Sequence, residues 1–302
     1  MKRRILIVFL FVTNLFAGGF ENLGVHSRVI GLGGAFVGVG DESYTVFYNP
    51  SGLAFIRNFQ ISSTYNQLFS GINDELYYLT FSSTAPIWNL GDLGVGLTHL
   101  KAGAWQENTL ILSYAKNISH FAIGGSLKVL RWSAQGAPGE DSQSYTGFTF
   151  DIGAFYKLTR VFGNGVFKIG AVAQDLTQPS IAVNGSDEAK LPLKIAVGVS
   201  YYSPTYDYLF AIDAVKENDI TILRFGAEFL GYKDKVYGIE TGFYLRGGYN
   251  EILTKSNFQN NALNGGFGVF VGGLKIDYAY VNKIKIVGIG GSHKISIGYH
   301  FN

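Results

Sequence analysis

Apolar and polar residues alternate along most of this chain. In Lys294–Phe301, Ile295, Ile297, Tyr299 and Phe301 take one set of positions and Lys294, Ser296, Gly298 and His300 the other. Leu274, Ile276, Tyr278 and Tyr280 interleave with Lys275, Asp277 and Ala279; Phe121, Ile123, Leu127 and Val129 interleave with Ala122, Gly124, Ser126 and Lys128. Side chains of a strand point to opposite faces in turn, so a period of two predicts strands with one apolar and one polar face. Fourteen such segments can be marked, near 59–70, 75–87, 91–101, 107–117, 119–132, 145–158, 165–175, 191–202, 206–216, 219–230, 236–247, 262–272, 273–282 and 293–301. Each strand with its turn takes about 17 residues, which accommodates the roughly 9–11 that a strand needs to cross a bilayer.

Composition decides which face meets what. The chain is 47% hydrophobic and 15% charged, with 40 glycines, 19 tyrosines, 24 phenylalanines and 6 prolines, whereas soluble domains carry roughly 25% charged residues. Charges of both signs fall mid-strand on the inferred inner face: Lys128, Asp151, Lys168, Asp213, Arg224, Glu228, Glu240, Arg246, Lys275 and Asp277. A soluble core does not accept these, but a barrel lumen holds them as ion pairs. Aromatic residues near strand ends (Tyr77, Tyr78, Trp88, Trp105, Trp132, Tyr156, Tyr201, Tyr202, Tyr206, Tyr208, Tyr299) read as girdles at the membrane interfaces. The expected fold is all-β, a transmembrane antiparallel β-barrel of about 14 strands. The polar stretches 133–144, 176–190 and 248–261 are expected to project from one rim.

The N-terminal part reads differently. Lys2, Arg3 and Arg4 precede the apolar run Ile5–Phe16 and the small residues Ala17-Gly18-Gly19, the pattern of a secretory signal peptide cleaved after Ala17. The expected division is a signal peptide over 1–17, an N-terminal segment over 18–58 and the barrel over 59–302. Residues 31–54, GLGGAFVGVGDESYTVFYNPSGLA, are too apolar for a linker and too glycine-rich for a good helix. They are expected to form a hatch, or plug, inside the lumen. Glycines 31, 33, 34, 38 and 40 let the backbone turn sharply. In Asn49-Pro50-Ser51-Gly52 a tight turn is expected, with proline presetting φ and glycine accepting a positive one.

The same residues carry a family resemblance. Ser27-Arg28-Val29-Ile30-Gly31-Leu32-Gly33-Gly34-Ala35-Phe36-Val37, the pair Asp41-Glu42, and Phe47-Tyr48-Asn49-Pro50-Ser51-Gly52-Leu53-Ala54 resemble the N-terminal signature of the PorV/PorQ family, which belongs with the FadL-type outer-membrane barrels. Leu32 stands where that family has Met, and Ser51 where it has Ala. Leu274–Tyr280 with Gly291–Gly298, and Gln174-Asp175-Leu176 with Leu191-Pro192, are similar to later parts of the family. Asn302 departs from the usual terminal Phe. The resemblance implies a fourteen-stranded barrel with a hatch built on Arg28, Gly31, Gly33, Gly34, Phe36, Asp41, Tyr48, Asn49, Pro50 and Gly52. It implies two functions: passive transport of small hydrophobic or amphipathic molecules, and a protein-interaction barrel serving type IX export of surface proteins. A surface scaffold is a third reading.

Other chemistry is sparse. Five histidines (26, 99, 120, 293, 300) show no metal-ligand or triad spacing, there is no cysteine, and the glycine cluster lacks a phosphate-loop lysine. No enzyme, cofactor or metal is expected. The net charge of +2 gives no reason to expect nucleic acid. Expected partners are membrane lipid, a hydrophobic small molecule, and secreted proteins or their machinery. The expected location is the bacterial outer membrane.

Overall fold

The computed structural model describes residues 19–68, 76–136, 139–182, 189–254, 261–284 and 291–301. The expected signal peptide lies outside them. Among the described residues fourteen strands follow one another: β1 (Gln60–Gln67), β2 (Leu76–Pro86), β3 (Asp92–Ala102), β4 (Trp105–Ile118), β5 (Phe121–Ala134), β6 (Gln143–Val161), β7 (Gly165–Gln174), β8 (Lys194–Ser203), β9 (Tyr208–Glu217), β10 (Ile220–Val236), β11 (Ile239–Ile252), β12 (Ala262–Val271), β13 (Leu274–Lys283) and β14 (Ser292–His300). Each pairs antiparallel with its sequence neighbours, and β14 returns to β1 from Gln60↔His300 to Gln67↔His293, closing the barrel. Closure pairs the backbone groups that a membrane leaves without water. No helix among the described residues is long and apolar enough to cross a membrane, so the crossing falls to strands.

The alternation sets the two faces as expected. On β14, Ile295 and Ile297 are 54% and 52% exposed, while Lys294 and Ser296 are 3% and 1% exposed. Phe121, Ile123, Phe148, Phe150, Ile152 and Ile276 continue the outward apolar belt. That is far more exposed apolar surface than water tolerates, and it is the lipid-facing band of an outer-membrane barrel.

The rim that carries the chain ends has short connections, 87–91, 119–120, 162–164, 204–207, 237–238 and 272–273. The longer ones, including 135–142, 175–193 and 253–261, share the opposite rim. The three polar stretches therefore do leave from one rim, although β11 extends to Ile252 and takes up the start of the third. In outer-membrane barrels the short turns face the periplasm and the long loops face outward.

Two expectations need correction. Glu240 does not line the lumen. β10 pairs with β9 only as far as Phe229↔Tyr208 and β11 with β12 only from Thr241↔Val271, yet β10 and β11 continue together to Val236↔Ile239. The tip from Lys235 to Glu240 thus forms a two-stranded end past the terminal rim, where Glu240 is exposed beside Lys233. Nor are all the strand-end aromatics girdle residues. Tyr78 and Trp132 are buried, and Trp132 Nε1 donates to the Ile181 carbonyl on the inner side. Trp105 stacks on Trp132 with centroids 4.6 Å apart. By contrast Tyr206, Tyr208, Phe210 and Phe229 do cluster on the outside near the terminal rim. The side chain of Trp88 lies outside the described residues.

Candidate functional site

The residues before β1 hold the most deeply buried apolar side chains of the chain. Val29, Leu32, Phe36, Val46 and Leu53 are 0% exposed. Val29 sits on a short helix α1 (Ser27–Gly31), Leu32 caps its end, Phe36 follows in irregular chain, and Val46 and Leu53 sit on 3-10 turns at Ser43–Phe47 and Pro50–Phe55. His26 caps α1: its Nδ1 accepts from Arg28 N at 3.1 Å, and its ring stacks on Tyr44 with centroids 3.8 Å apart. Asn49 caps the last turn by accepting from Ser51 N, and Pro50 stands at its start. Gly52 does not take the positive φ expected of it. It is glycine because a Cβ there would strike Thr45 Oγ1 and Gly40. Gly33 and Gly34 do have positive φ, at 68° and 84°.

The wall meets these residues through glycines. A Cβ at Gly94 would strike Val46 and Leu53, at Gly124 Pro50 and Ser51, at Gly170 Val37, at Gly198 Gly38, at Gly226 Leu32, and at Gly248 Gly33. Those wall positions belong to β3, β5, β7, β8, β10 and β11, so contact is made around much of the ring. Missing side chains on the inward face leave room for backbone to approach backbone.

Charge then fixes the register. Arg28 Nε and Nη2 donate to Glu228 at 2.8 Å each, and its Nη1 and Nη2 donate to Asp41 at 2.7 and 3.1 Å. Glu228 also accepts from Arg246, which reaches Asp277. The result is an alternating chain, Asp41–Arg28–Glu228–Arg246–Asp277, linking the N-terminal segment to β10, β11 and β13. Burial disfavours the Arg28 charge, but Asp41 and Glu228 outweigh it and raise its pKa. Glu42 accepts from Lys275 and His300. Burial alone would raise the Glu42 carboxyl; Lys275 and His300 instead hold it well below the usual carboxylate range. Burial lowers His26 to about 4 and raises Tyr48 to about 12. On β9, β7 and β10 respectively, Asp213 accepts from Phe36 N and Val37 N at 2.6 and 2.8 Å, Lys168 donates to Val39 O, and Arg224 reaches Gly34 O at 3.4 Å. Asp151 and Asp175 hold Lys128 at 2.9 and 3.0 Å.

Two recesses flank this packed region. Toward the long loops lies a cavity of about 1160 Å³, lined by Leu68, Leu76, Leu100, Trp105, Trp132, Ile181 and Ala196 and by the polar Glu107, Arg224, Asn264 and Lys294. Toward the terminal rim lies a charged pocket of about 180 Å³ among Asp41, Glu42, Asp207, Glu228, Arg246 and Lys275.

Of the residues singled out in the sequence, Arg28, Asp41, Glu228, Arg246 and Asp277 come together in one network. Gly31 packs on Arg246. Phe36 lies against Tyr44 and Tyr48, with centroids 5.1 and 5.5 Å away. Asn49 Nδ2 donates to Val37 O at 3.2 Å. Lys128 and Asp151 form a separate pair toward the long loops, and Glu240 joins nothing inside. Several participants escaped the sequence reading: Ser27 with Ser296 and Ser43 with Ser82, hydroxyls 2.8 Å apart in each case; Asn66, which donates to the Gly24 carbonyl at 2.6 Å; and Glu107. The inward parity of Asn66, Ser82, Glu107 and Ser296 was readable from the alternation, but small hydroxyls carry no distinctive pattern.

No curated protein matched the chain. Among solved structures, the toluene transporter TbuX of Ralstonia pickettii superposes with a TM-score of 0.68 at 12% identity, covering 94% of this chain and 100% of its own. The CymD monoaromatic hydrocarbon channel gives 0.62 at 13% identity over 94% and 99%. A Pseudomonas aeruginosa FadL homologue gives 0.62 at 13% over 92% and 98%. At such identities the similarity is one of fold, and that fold is the FadL-type barrel the resemblance implied. The sequence family that matches is PorP/SprF rather than PorV/PorQ, over residues 43–299. That match takes in most of the chain, which therefore belongs to the family of type IX secretion system membrane proteins PorP/SprF.

Proposed function

We propose that this protein is a docking barrel of the type IX export apparatus, with residues 18–58 as a plug that closes its lumen permanently rather than a gate. The observation that carries this reading is the ion-pair chain Asp41–Arg28–Glu228–Arg246–Asp277, buried from Arg28 onward, which ties the plug to β10, β11 and β13. Removing one partner from such a pair strands a buried charge and costs about 3–5 kcal/mol, so spontaneous unplugging is disfavoured. Partners then act on the loops and rims. The protein reaches the outer membrane by its cleaved signal peptide.

A second reading, passive transport or binding of a hydrophobic small molecule, draws on the apolar cavity around Trp105, Trp132 and Leu100. The TbuX and CymD barrels named above are a toluene transporter and a hydrocarbon channel. Transport needs the plug to move. Among the described residues the ladder shifts register at Thr159/Val161 and Leu230/Tyr232, both near the terminal rim.

The two readings separate on one experiment. The chain has no cysteine, so Ser27→Cys with Ser296→Cys, and Ser43→Cys with Ser82→Cys, can each lock plug to wall by a disulfide. Docking requires that cells carrying the locked barrel still display type IX cargo on their surface. Loss of display that a reductant restores would show that the plug moves, and the docking reading would fall.

A further inference from the structure

The cavity on the long-loop side of the N-terminal segment has two unlike walls. Leu100, Trp105 and Trp132 line it from β3, β4 and β5, with Ile181 beside them. Arg224, Asn250 and Asn264 line it from β10, β11 and β12. In the closed ring β4 and β11 stand seven strands apart in either direction, so the two groups face each other across the lumen. The polar wall is not fully engaged. Asn264 is 6% exposed, and its Oδ1 has no hydrogen-bond partner among the described residues. A buried acceptor left unpaired is costly. The Arg224 guanidinium has one long hydrogen bond, to Gly34 O at 3.4 Å, and no carboxylate within ion-pair distance among the described residues. Asp213, its register partner on β9, accepts from Phe36 N and Val37 N instead. Asn250 Oδ1 accepts from Ala262 N, which leaves its amide N–H groups to donate. Two further cations line the cavity and both are engaged: Lys194 pairs with Glu217 at 3.1 Å, and Lys294 donates to Leu23 O at 2.7 Å.

We propose that this cavity binds an acyl chain whose head is a carboxylate with a hydroxyl close beside it, as in a 3-hydroxy fatty acid. Arg224 and Asn250 donate to the carboxylate, and hydrogen bonds to a charged group are the stronger kind. The hydroxyl donates to Asn264 Oδ1, the acceptor that the protein leaves unpaired. The tail crosses to Leu100, Trp105, Trp132 and Ile181. Glu107 fixes the direction: it stands on the tail side, where its own charge would repel a carboxylate. The volume of about 1160 Å³ is ample, since small-molecule sites run from roughly 300 to 1,000 Å³. A bare hydrocarbon offers nothing to Arg224 or Asn264. A plain fatty acid offers only half of what the polar wall asks. The site lies on the loop side of the packed segment, so filling it needs no movement of that segment, and the inference stands under either reading above.

The test uses protein extracted from the outer membrane and placed in lipid nanodiscs. Tryptophan emission, from a chain with Trp105 and Trp132 in the cavity wall, reports binding, and empty discs control for partition into lipid. Three probes share one chain: 3-hydroxytetradecanoate, tetradecanoate, and the methyl ester of the first. The hydroxy acid should bind the wild type about tenfold more tightly than tetradecanoate, which leaves Asn264 unpaired. It should also bind about tenfold or more above its ester, which lacks the charge that Arg224 holds. Asn264→Leu should bind the two acids alike, and Arg224→Gln should bind the hydroxy acid and its ester alike. Heat-dependent gel mobility shows that each variant is still a folded barrel, and the comparison of probes on the wild type needs no variant. Equal affinity of the wild type for the two acids overturns the proposal. So does equal affinity for acid and ester, or failure to bind any of the three. The barrel locked by Ser27→Cys with Ser296→Cys should bind as the wild type does; loss of binding on locking would overturn a site that stands ready on the loop side.

Discussion

Arg28 shows how much one side chain holds. It is 8% exposed and binds two carboxylates from two parts of the chain. Arg28→Ala leaves Glu228 facing only Arg246, and Arg28→Lys keeps the charge but loses the planar fork that serves both acids. Both should make residues 19–58 sensitive to protease, the alanine variant by less than the about 3–5 kcal/mol that a fully stranded buried charge costs, because Glu228 keeps Arg246 and Asp41 is part-exposed. The barrel should keep its heat-dependent gel mobility, and unchanged protease resistance would contradict the role given to Arg28. His26 adds a pH dependence. Its docked pKa is about 4 against 6.5 when free. Between those values the free segment binds a proton and the docked one does not, so docking weakens as pH falls from 6.5 to 4. The difference of about 2.5 units is worth up to about 3 kcal/mol. Asp277 and Glu42 face the ring and favour its protonation, while Arg246 and Arg28 oppose it. Glu42 acts in the same direction at lower pH: its depressed pKa stabilises above the free value and that support is lost as pH drops through the docked one. His26→Asn keeps an acceptor for Arg28 N without titrating, so protease sensitivity measured from pH 7 to 4 should rise less steeply in the variant.

At the scale of elements, the docking surface is a set of absences. Gly198 and Gly248 face Gly38 and Gly33, backbone against backbone. Gly198→Val or Gly248→Val should leave a folded barrel, since valine suits a strand, but should unseat the N-terminal segment, visible as new protease cleavage within 19–58. Intact protection would mean that the glycines are incidental. The fourteen strands were legible because period-two alternation survives wherever one face meets lipid and the other a polar lumen. Arg28 and the lumen acids Asp213, Glu228 and Asp277 were legible as charges where an apolar residue would be cheaper. Wall glycines were not, because a glycine in a strand looks the same beside a plug as beside empty space. Glu240 misled for a related reason: alternation runs on into the β10–β11 ribbon and does not mark where the barrel stops. Trp132 misled although its parity matches Lys128 and Leu130, which point inward; an aromatic residue near a strand end suits a girdle and a lumen equally until parity is counted.

For the whole molecule, the main buried apolar cluster lies inside the ring, around residues 25–56. Barrels of 8 strands are filled by their own side chains, while those of 16–18 leave a water channel, and a ring of fourteen falls between them. Its bore is wide enough to need a filling, the role proposed above for the N-terminal segment. Excising residues 27–54 should therefore leave a lumen lined by Lys128, Lys168, Arg224, Arg246 and Lys275 against Asp151, Asp213, Glu228 and Asp277. Cations and anions stand in near balance, which gives little net field along the bore, so the open channel should pass small ions of either sign with weak selectivity. In a planar bilayer the wild-type protein should be electrically silent and the excised form should conduct in steady, well-resolved steps. Wild-type steps of the same size would mean that the segment does not obstruct the lumen, whatever its burial. Silence from an excised barrel that still shows heat-dependent gel mobility would mean that inward-folded loops close the outer mouth, where Trp132 already holds Ile181 of the β7–β8 connection. Strong cation or anion preference would show that the balanced pairs rearrange once Arg28 is gone, and that the network is held together from the plug side as much as from the wall.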